Sequence, residues 1–406
     1  MSRIFYLATP VSRVFYLATL VSHFVISGGD VRVALVHDWL TNVAGAERVI
    51  IALHETFPDA PIYTSVYVPE EFPALADADV RTSFLQKVPL ARKKHQAFPM
   101  LRTVAFENFD LSEYDVVISS CHAESKGVIT QPETLHICYC YTPIRYWWSG
   151  YNDYLNRPLF GPLNPLVKVV MPFMASYLRV WDRCAADRVD VFVATCNNVA
   201  TRIRKYYRRE PLVLYPPVDT EWIQPAQSVD DYFLIVGRQI PYKRTDLAVK
   251  AFNKLGLPLK IAGNGTEIEY LKSIAGPNIE FLGRIPDKEL AEVYSRCLGF
   301  VFPQNEDFGI TPLEAMAAGR PVIAYRGGGA LETVLEGQTG TFFDVQDPDA
   351  LIEAIKKFKP EDFQPDILRE HAKKFEVSAF KRNFEEMVAA EWRRFCQGEG
   401  KASFPR

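Results

Sequence analysis

The chain has 406 residues, of which 48% are hydrophobic, 23% are charged and 13% are aromatic, and its formal net charge at pH 7 is −3. This length is too great for one ordinary core and predicts two domains, and the composition is that of a folded protein rather than a disordered one. The acidic balance argues against a nucleic-acid binder, which needs a basic excess to compete for a phosphate backbone.

Cysteine and histidine spacing gives no sign of a metal site. The seven cysteines show no paired C-x-x-C spacing, and no H-E-x-x-H pair occurs. Free thiols in a reducing compartment are therefore the expected state. We expect a cytoplasmic protein that requires no metal and no cofactor.

The first thirty residues differ from the rest of the chain. SRIFYLAT at residues 2–9 returns as SRVFYLAT at residues 12–19. The apolar stretch at residues 14–26 is shorter than the ~20 residues that span a bilayer, and no A-x-A-like cleavage site follows it. Our hypothesis is that residues 1–30 form an extension before the true domain.

Residues 31–215 predict a first α/β domain. VRVALVHDW is a Val-rich apolar run typical of a buried strand, and a glycine-containing turn and the helical stretch AERVIIALHETF follow it. DVVISS, LHICYCY and VDVFVATC predict further strands, with helical or loop segments between them. This alternation favours a parallel sheet wound with helices.

Residues 216–372 predict a second α/β domain, which begins after the paired prolines of LYPPVDTEW. Its predicted strands are DYFLIVGR, LPLKIAG, IEFLGR, GFVFPQ and RPVIAY. Residues 373–395 predict a C-terminal helix that packs back on the first domain. Two doubly wound sheets of this kind place the ends of their strands at a shared crevice, where we expect a ligand.

The most informative stretch is VFPQNEDFGITPLEAMAAGRPVIAYRGGG. Glu306 and Glu314 enclose Gly309, Thr311 and Pro312, which open the helix that carries Glu314. A helix N-terminus with exposed backbone amides binds anions, and the two carboxylates can accept hydrogen bonds from sugar hydroxyls. The stretch predicts a site for a phosphate and a polyol together.

Three other loops carry candidate ligand-binding residues. In VGRQIPYKR, Gly237 ends a strand and is followed by Arg238 and Lys243, two cations suited to a diphosphate. In HDWLTNVAGAERV, Gly45 allows a close backbone approach to a ligand. SSCHAESKG places His122 directly after a strand.

These stretches, in order with RTSFLQ, ICYCYTPIRYWW, WDRCAADRVD and FLGRI, resemble the glycosyltransferase family four branch of retaining GT-B enzymes from about residue 31 to 391. The resemblance is strongest to bacterial mannosyltransferase-like members of exopolysaccharide and O-antigen lipopolysaccharide pathways. It implies two Rossmann-like domains facing each other across a cleft. It also implies transfer of a hexose, mannose first, from a nucleotide sugar such as GDP-mannose to a polysaccharide or lipid-linked oligosaccharide.

The same resemblance implies a role for each candidate. Arg238 and Lys243 would stabilise the donor diphosphate, Glu306 would hold the donor sugar and Glu314 the nucleotide ribose. His122 would approach the donor sugar from the other domain. The other implied donor-binding residues are Gly45, Gly237, Asn264, Gly283, Arg284, Phe308, Gly309, Ile310 and Thr311. Family members often have two glycines in the first loop, whereas Ala44 precedes Gly45 here.

Several alternatives stay open. A nucleotide-sugar epimerase or an inactive scaffold would share the fold, whereas a nicotinamide dehydrogenase is disfavoured because no strand precedes G-x-G-x-x-G. Two basic groups either face an anionic membrane, making the protein peripheral on its inner face, or are solvated surfaces. They are residues 92–94 with His95, Phe98 and Arg102, and a helix with Arg202, Arg204, Lys205, Arg208 and Arg209.

Overall fold

The computed structural model describes residues 25–26, 29–156 and 164–398. A two-stranded antiparallel ribbon, β1 (Val25–Ile26) and β2 (Gly29–Asp30), precedes two parallel sheets, each covered by helices. The hypothesis about residues 1–30 falls almost entirely outside the described residues. Within those residues, no helix is both long and apolar enough to cross a bilayer.

The first sheet has seven parallel strands in the order β5-β4-β3-β6-β7-β8-β9. They are β3 (Val33–His37), β4 (Ile62–Thr64), β5 (Val80–Thr82), β6 (Val116–Cys121), β7 (Leu135–Cys140), β8 (Val191–Ala194) and β9 (Leu212–Val213). Every residue of β3, β6 and β7 is buried, as expected for central parallel strands covered on both faces. The predicted runs VRVALVHDW, LHICYCY and VDVFVATC contain β3, β7 and β8, and DVVISS covers all of β6 except its last residue, Cys121.

In the described part of the first lobe, six α-helices precede the second sheet. They are α1 (Gly45–Thr56), α2 (Ala91–Lys94), α3 (Pro99–Glu107), α4 (Tyr151–Asn156), α5 (Asn164–Asp187) and α6 (Asn197–Tyr207). At the start of α1 the backbone N–H of Ala44 donates to the Glu47 carboxylate at 3.0 Å, which satisfies a group that a helix leaves unpaired. Val49, Ile50 and Leu53 then bury one face of α1 in the core of the first lobe.

The second sheet has six parallel strands in the order β12-β11-β10-β13-β14-β15. They are β10 (Phe233–Val236), β11 (Leu259–Ala262), β12 (Ile279–Gly283), β13 (Gly299–Phe302), β14 (Val322–Tyr325) and β15 (Gly340–Phe343). The helices of this second lobe are α7 (Thr245–Leu255), α8 (Ile268–Ile274), α9 (Asp287–Arg296), α10 (Ile310–Ala317), α11 (Ala330–Thr333), α12 (Pro348–Lys357) and α13 (Pro365–Lys373).

The last helix, α14 (Val377–Cys396), returns to the first lobe. Its side chains Phe380, Phe384 and Val388 are buried in the same hydrophobic cluster as β3 and β7. Lys381 adds an ion pair with Glu55 of α1 at 3.0 Å. The chain therefore crosses between the lobes twice, once after β9 and once before α14.

In both sheets the strand order reverses beside the first strand. The reversal falls between β3 and β6 in the first sheet and between β10 and β13 in the second. Ligands of open parallel sheets bind at such switch points, outside the carboxyl ends of the strands. The candidate residues follow these four strands: Gly45 after β3, His122 after β6, Arg238 and Lys243 after β10, and Glu306 after β13.

Candidate functional site

The segment after β13 forms a tight loop before α10. Gly309 precedes the helix with a φ of +87°, a conformation that favours glycine, and a Cβ there would lie 2.7 Å from the Phe302 ring. Gly329 presses against the same loop, because its N–H donates to the Glu306 carbonyl at 2.9 Å and a Cβ would lie 2.2 Å from the Phe308 carbonyl oxygen. The first N–H groups of α10 lack intrahelical partners and can bind an anion.

Lys243 and Glu306 are brought into direct contact. Lys243 ends the short turn Pro241–Lys243 after β10, and its ammonium forms an ion pair with the Glu306 carboxylate. The Tyr242 hydroxyl lies 3.4 Å from the other oxygen of Glu306. Burial and then the charge of Glu306 raise the pKa of Tyr242, and Arg145 and Arg238 oppose that rise. Arg238 is exposed, and the described part of the chain provides it with no hydrogen-bond or ion-pair partner.

Glu314 lies in the second turn of α10 and is buried. The Tyr294 hydroxyl donates to its Oε2 at 2.7 Å, and the Arg48 guanidinium of the first lobe lies 3.5 Å from its Oε1. Burial raises the pKa of Glu314, and Tyr294 and Arg48 partly oppose that rise. Glu314 thus links the two lobes through Arg48.

The first residues of two helices, one from each lobe, lie close together. Gly45 is the first residue of α1, and a Cβ on it would lie 3.5 Å from the Cδ1 of Ile310, the first residue of α10. We expected Gly45 in a loop, so that placement was wrong by about one residue, which is the usual uncertainty at helix ends. An anionic ligand between these termini would meet two sets of free N–H groups.

His122 directly follows β6 and is held by Asp38, which directly follows β3. The buried Asp38 carboxylate accepts backbone N–H bonds from His122 at 2.7 Å, Ala123 at 2.9 Å and Ser125 at 2.7 Å. The His122 Nδ1 lies 3.1 Å from Asp38 Oδ2. Burial alone would raise the pKa of Asp38, but the imidazoles of His122 and His37 and these backbone bonds outweigh burial and lower it. Asp38 therefore fixes the loop that carries His122.

The remaining candidates lie along the same sheet edge. Gly237 directly follows β10 with a φ of +149°, and Gly283 ends β12 with a φ of +66°. Asn264 accepts the Gln239 N–H on its carbonyl at 3.0 Å, and Arg284 is exposed. Since β12 is three strands from β13, Gly283 and Arg284 lie roughly 14 Å from Glu306 along the sheet, whereas Gly237 and Asn264 lie one and two strands away. Thr311 is half-buried in the first turn of α10, and the Phe308 side chain is buried and stacks on Tyr215 at 5.6 Å.

Sequence reasoning missed Asp307, which joins the two lobes. Its carboxylate forms ion pairs with Arg145 at 2.5 Å and with Arg202, both from the first lobe. Its carbonyl also lies 2.8 Å from the Cys196 thiol. The available signal was a second carboxylate beside Glu306. Asp38 could have been found by the signal that identified His122, because each residue directly follows a buried strand.

The predicted basic surfaces were partly wrong. Arg102 is buried, bonded to the Glu124 carboxylate at 2.8 and 2.9 Å and to the His95 carbonyl at 2.7 Å. His95 is buried as well. In the predicted basic helix, Arg202 binds Asp307 and Arg204 binds Glu210. Because both side chains are buried, Arg102 and His95 are not part of any membrane-facing surface. Glu124 pairs with Arg102 because a buried charge requires a partner.

In the described parts of the chain, no group of three or more His, Cys, Asp or Glu side chains is placed to hold a metal ion. The expectation that the protein requires no metal stays a prediction.

Comparisons with known proteins agree with this architecture. Residues 219–375 match the family model described as glycosyl transferases group 1. The sucrose-phosphate synthase of Thermosynechococcus elongatus superposes with a TM-score of 0.66 at 17% identity, over 91% of this chain and 100% of that one. The HepE protein of Anabaena in complex with UDP superposes with a TM-score of 0.63 at 16% identity, over 88% of this chain and 100% of that one.

Among curated proteins, a GDP-mannose-dependent alpha-(1-6)-phosphatidylinositol monomannoside mannosyltransferase of Mycolicibacterium smegmatis is 35% identical over 35% of this chain and 45% of its own length. The alignments with the first three curated relatives cover 45% to 57% of those relatives' own lengths, about half.

The predicted fold class is confirmed: the protein has two Rossmann-like parallel sheets of the GT-B type. The second lobe is similar to glycosyl transferases group 1 over the stretch that contains Arg238, Lys243, Glu306 and Glu314. The resemblance to glycosyltransferases is thereby supported at this level. Membership of family four, a specific pathway and the roles of individual residues stay predictions.

Proposed function

We propose that the protein is a retaining glycosyltransferase of family four. It would transfer a hexose, with mannose as the first choice, from a nucleotide-diphosphate sugar to a polysaccharide or lipid-linked oligosaccharide acceptor. One observation carries the proposal: the candidate residues follow the four strands that flank the two switch points, in the region where open parallel sheets bind ligands.

The donor diphosphate would bind at the N-terminus of α10. Arg238 has no partner among the described residues and is available to phosphate oxygens. Lys243, on the same loop after β10, is paired with Glu306 and becomes available when a phosphate oxygen displaces that carboxylate. Negative charge grows on the diphosphate as its bond to the sugar breaks. Stabilising that charge is the main catalytic contribution of the site.

The sugar and the ribose would bind to the two carboxylates. Glu306 is partly exposed beside Lys243, where it can accept hydrogen bonds from donor-sugar hydroxyls. We assign the ribose to Glu314, whose carboxylate is oriented by Tyr294 and Arg48 and has further lone pairs that can accept from ribose hydroxyls. Gly237, Asn264, Gly283 and Arg284 would flank the base along the edge from β10 to β12.

His122 and Gly45 would complete the site from the first lobe. In the proposed step an acceptor hydroxyl attacks the anomeric carbon from the face that the diphosphate leaves. The carbon–oxygen bond to the phosphate breaks, and the acceptor proton passes to a phosphate oxygen. Configuration is then retained without a protein nucleophile, and His122 holds the donor sugar.

GDP-mannose is the first donor to test, because the Mycolicibacterium relative is described as GDP-mannose-dependent. UDP sugars follow, because HepE was solved with UDP. We further propose a cytoplasmic site of action in an exopolysaccharide or lipopolysaccharide pathway. A nucleotide-sugar epimerase remains the alternative enzyme, and it would release a rearranged sugar without any acceptor.

The test is thermal stabilisation by a panel of nucleoside diphosphates and their sugars. A ligand at 100 times its Kd stabilises the native state by about 2.7 kcal/mol, which corresponds to a shift of about 3 °C in a protein of this size. We expect one nucleotide to give this shift in the wild type and in the control Arg382→Ala, which removes an exposed arginine of α14. Arg238→Ala should abolish it.

The outcomes separate the alternatives. A protein that no nucleotide stabilises would be the inactive scaffold. If the identified donor is converted to a rearranged sugar in the absence of acceptor, the epimerase is correct. Equal shifts in Arg238→Ala and the wild type would remove the diphosphate role of Arg238.

A further inference from the structure

Helix α5 exposes a row of large apolar side chains to solvent. Phe173 is 78% exposed, and Val169 and Val180 are each 65% exposed. Leu166, Val170 and Tyr177 are also exposed. These six side chains define the α5 face. They recur at intervals of three or four residues, which places them on one side of the helix.

The opposite side of α5 is buried. Met171, Ala175 and Leu178 pack with Ile144 and Trp147 in a separate hydrophobic cluster of the first lobe. A helix that is apolar on all sides is ordinarily buried on all sides. Among the residues that the structure describes, the first lobe covers only one side of α5, and an exposed apolar patch of this kind marks a contact surface.

We propose that the α5 face docks on an anionic membrane surface. From residue 164 to residue 181 the helix contains no aspartate or glutamate, and Lys168 is exposed beside the α5 face, within a chain whose net charge is −3. Arg179, the other cation of this stretch, is half-buried and donates to the Trp147 carbonyl at 2.6 Å. Anionic lipid complements this local charge, whereas a second copy of the same face would bring like charges together. The helix would lie in the plane of the interface with Phe173 and Tyr177 at the headgroup boundary.

The position of the α5 face suits an acceptor carried by a lipid. Trp147 packs beneath α5, and Arg145, two residues earlier, reaches Asp307 beside the donor site. The membrane-facing side of α5 is therefore about one helix diameter, ~10 Å, from the segment that lines the crevice. This step rests on the proposed function, but the docking itself does not.

Flotation with vesicles tests the docking. The purified chain is mixed with vesicles of phosphatidylcholine and phosphatidylglycerol in a three-to-one ratio, or of phosphatidylcholine alone, and is floated through a density gradient. We expect the wild type to float with the anionic vesicles and much less with the neutral ones. Val169→Glu and Phe173→Glu should each lower the partition coefficient at least tenfold, because a carboxylate replaces buried apolar surface.

The chain offers a matched control for Val169→Glu. Val345, after β15 in the second lobe, is 62% exposed against 65% for Val169, so Val345→Glu makes the same change in a similar environment. Val345→Glu should float like the wild type. Because Val169 and Phe173 project into solvent, all three variants should fold, and the thermal midpoint of each checks this.

Three results would overturn the docking. A wild type that floats with neither vesicle has no membrane face, and a Val169→Glu variant that floats like the wild type binds through another surface. If the wild type sediments as a dimer and Val169→Glu as a monomer, the α5 face joins two copies instead. Nucleotide stabilisation is measured on the same variants: a chain that floats but binds no nucleotide retains the docking and loses the proposed function.

Discussion

The ion pair between Lys243 and Glu306 predicts a competition that binding experiments can detect. Both side chains are assigned to the donor, Lys243 to its diphosphate and Glu306 to its sugar, yet without a donor they bind each other. The diphosphate must therefore displace Glu306 from Lys243. Substituting Glu306 should therefore change the affinity for a nucleoside diphosphate and the affinity for the nucleotide sugar in opposite directions. Substituting Lys243 should weaken the binding of the diphosphate.

The structure sets the magnitudes. Lys243 and Glu306 are only 21% and 16% exposed, so solvent screens their pair weakly and it is worth at least about 1 kcal/mol, the upper value for exposed pairs. Glu306→Gln removes the competitor, and the bare nucleoside diphosphate should bind at least about fivefold more tightly. A hydrogen bond to a charged group is worth about 1.5 to 3 kcal/mol, so Lys243→Met should weaken the same ligand roughly 10- to 100-fold.

Isothermal titration calorimetry measures both effects with the nucleotide that stabilises the wild type. For Glu306→Gln the nucleotide sugar should bind more weakly although the bare diphosphate binds more tightly, because the sugar loses a carboxylate contact. Glu336→Gln, which breaks the exposed pair with Arg326, serves as the control and should change neither affinity. Weaker binding of the bare diphosphate to Glu306→Gln, or unchanged binding to Lys243→Met, would refute the competition.

Two further predictions concern folding. Burial, and then Arg102, lowers the pKa of His95 to about 4. In the unfolded state the pKa of His95 is about 6.5, so the unfolded chain takes up the proton first and the free energy of unfolding falls as the pH drops from 6.5 to 4. In urea titrations at each pH, this fall should be smaller in His95→Phe by up to ~3 kcal/mol. An unchanged pH dependence would contradict this. Gly329→Ala should cost about 1 to 3 kcal/mol in the same titrations and weaken nucleotide binding, because its Cβ displaces the Phe308 carbonyl before α10; unaltered affinity would contradict this.

The strongest apolar runs predicted the centre of each sheet. VRVALVHDW and DVVISS became β3 and β6, and DYFLIVGR and GFVFPQ became β10 and β13. Central parallel strands are buried on both faces, so each carries its signal in its own residues. The flanking strands β4, β5 and β9 have only two or three residues and were not predicted. Their pairing depends on the neighbouring strand rather than on a local pattern.

In the candidate site, too, local sequence predicted some features and contacts between distant residues decided others. Residue types next to a strand end, with glycines that open a helix, were sufficient to single out His122, Lys243, Glu306 and Glu314. The sequence alone did not identify the pairing of Asp307 with Arg145, which are 162 residues apart, or the hold of Asp38 on the loop of His122, 84 residues away.

Burial followed the same division. Arg102 belongs to a basic, exposed-looking stretch, yet the structure buries it against Glu124, whereas the apolar side of α5 stays in solvent. The sequence by itself determined the two-lobe α/β fold and the loops at the switch points, because strand periodicity and turn chemistry are local. Only the tertiary structure decided which charges are paired and which apolar face is uncovered, because both depend on contacts between residues far apart in the chain.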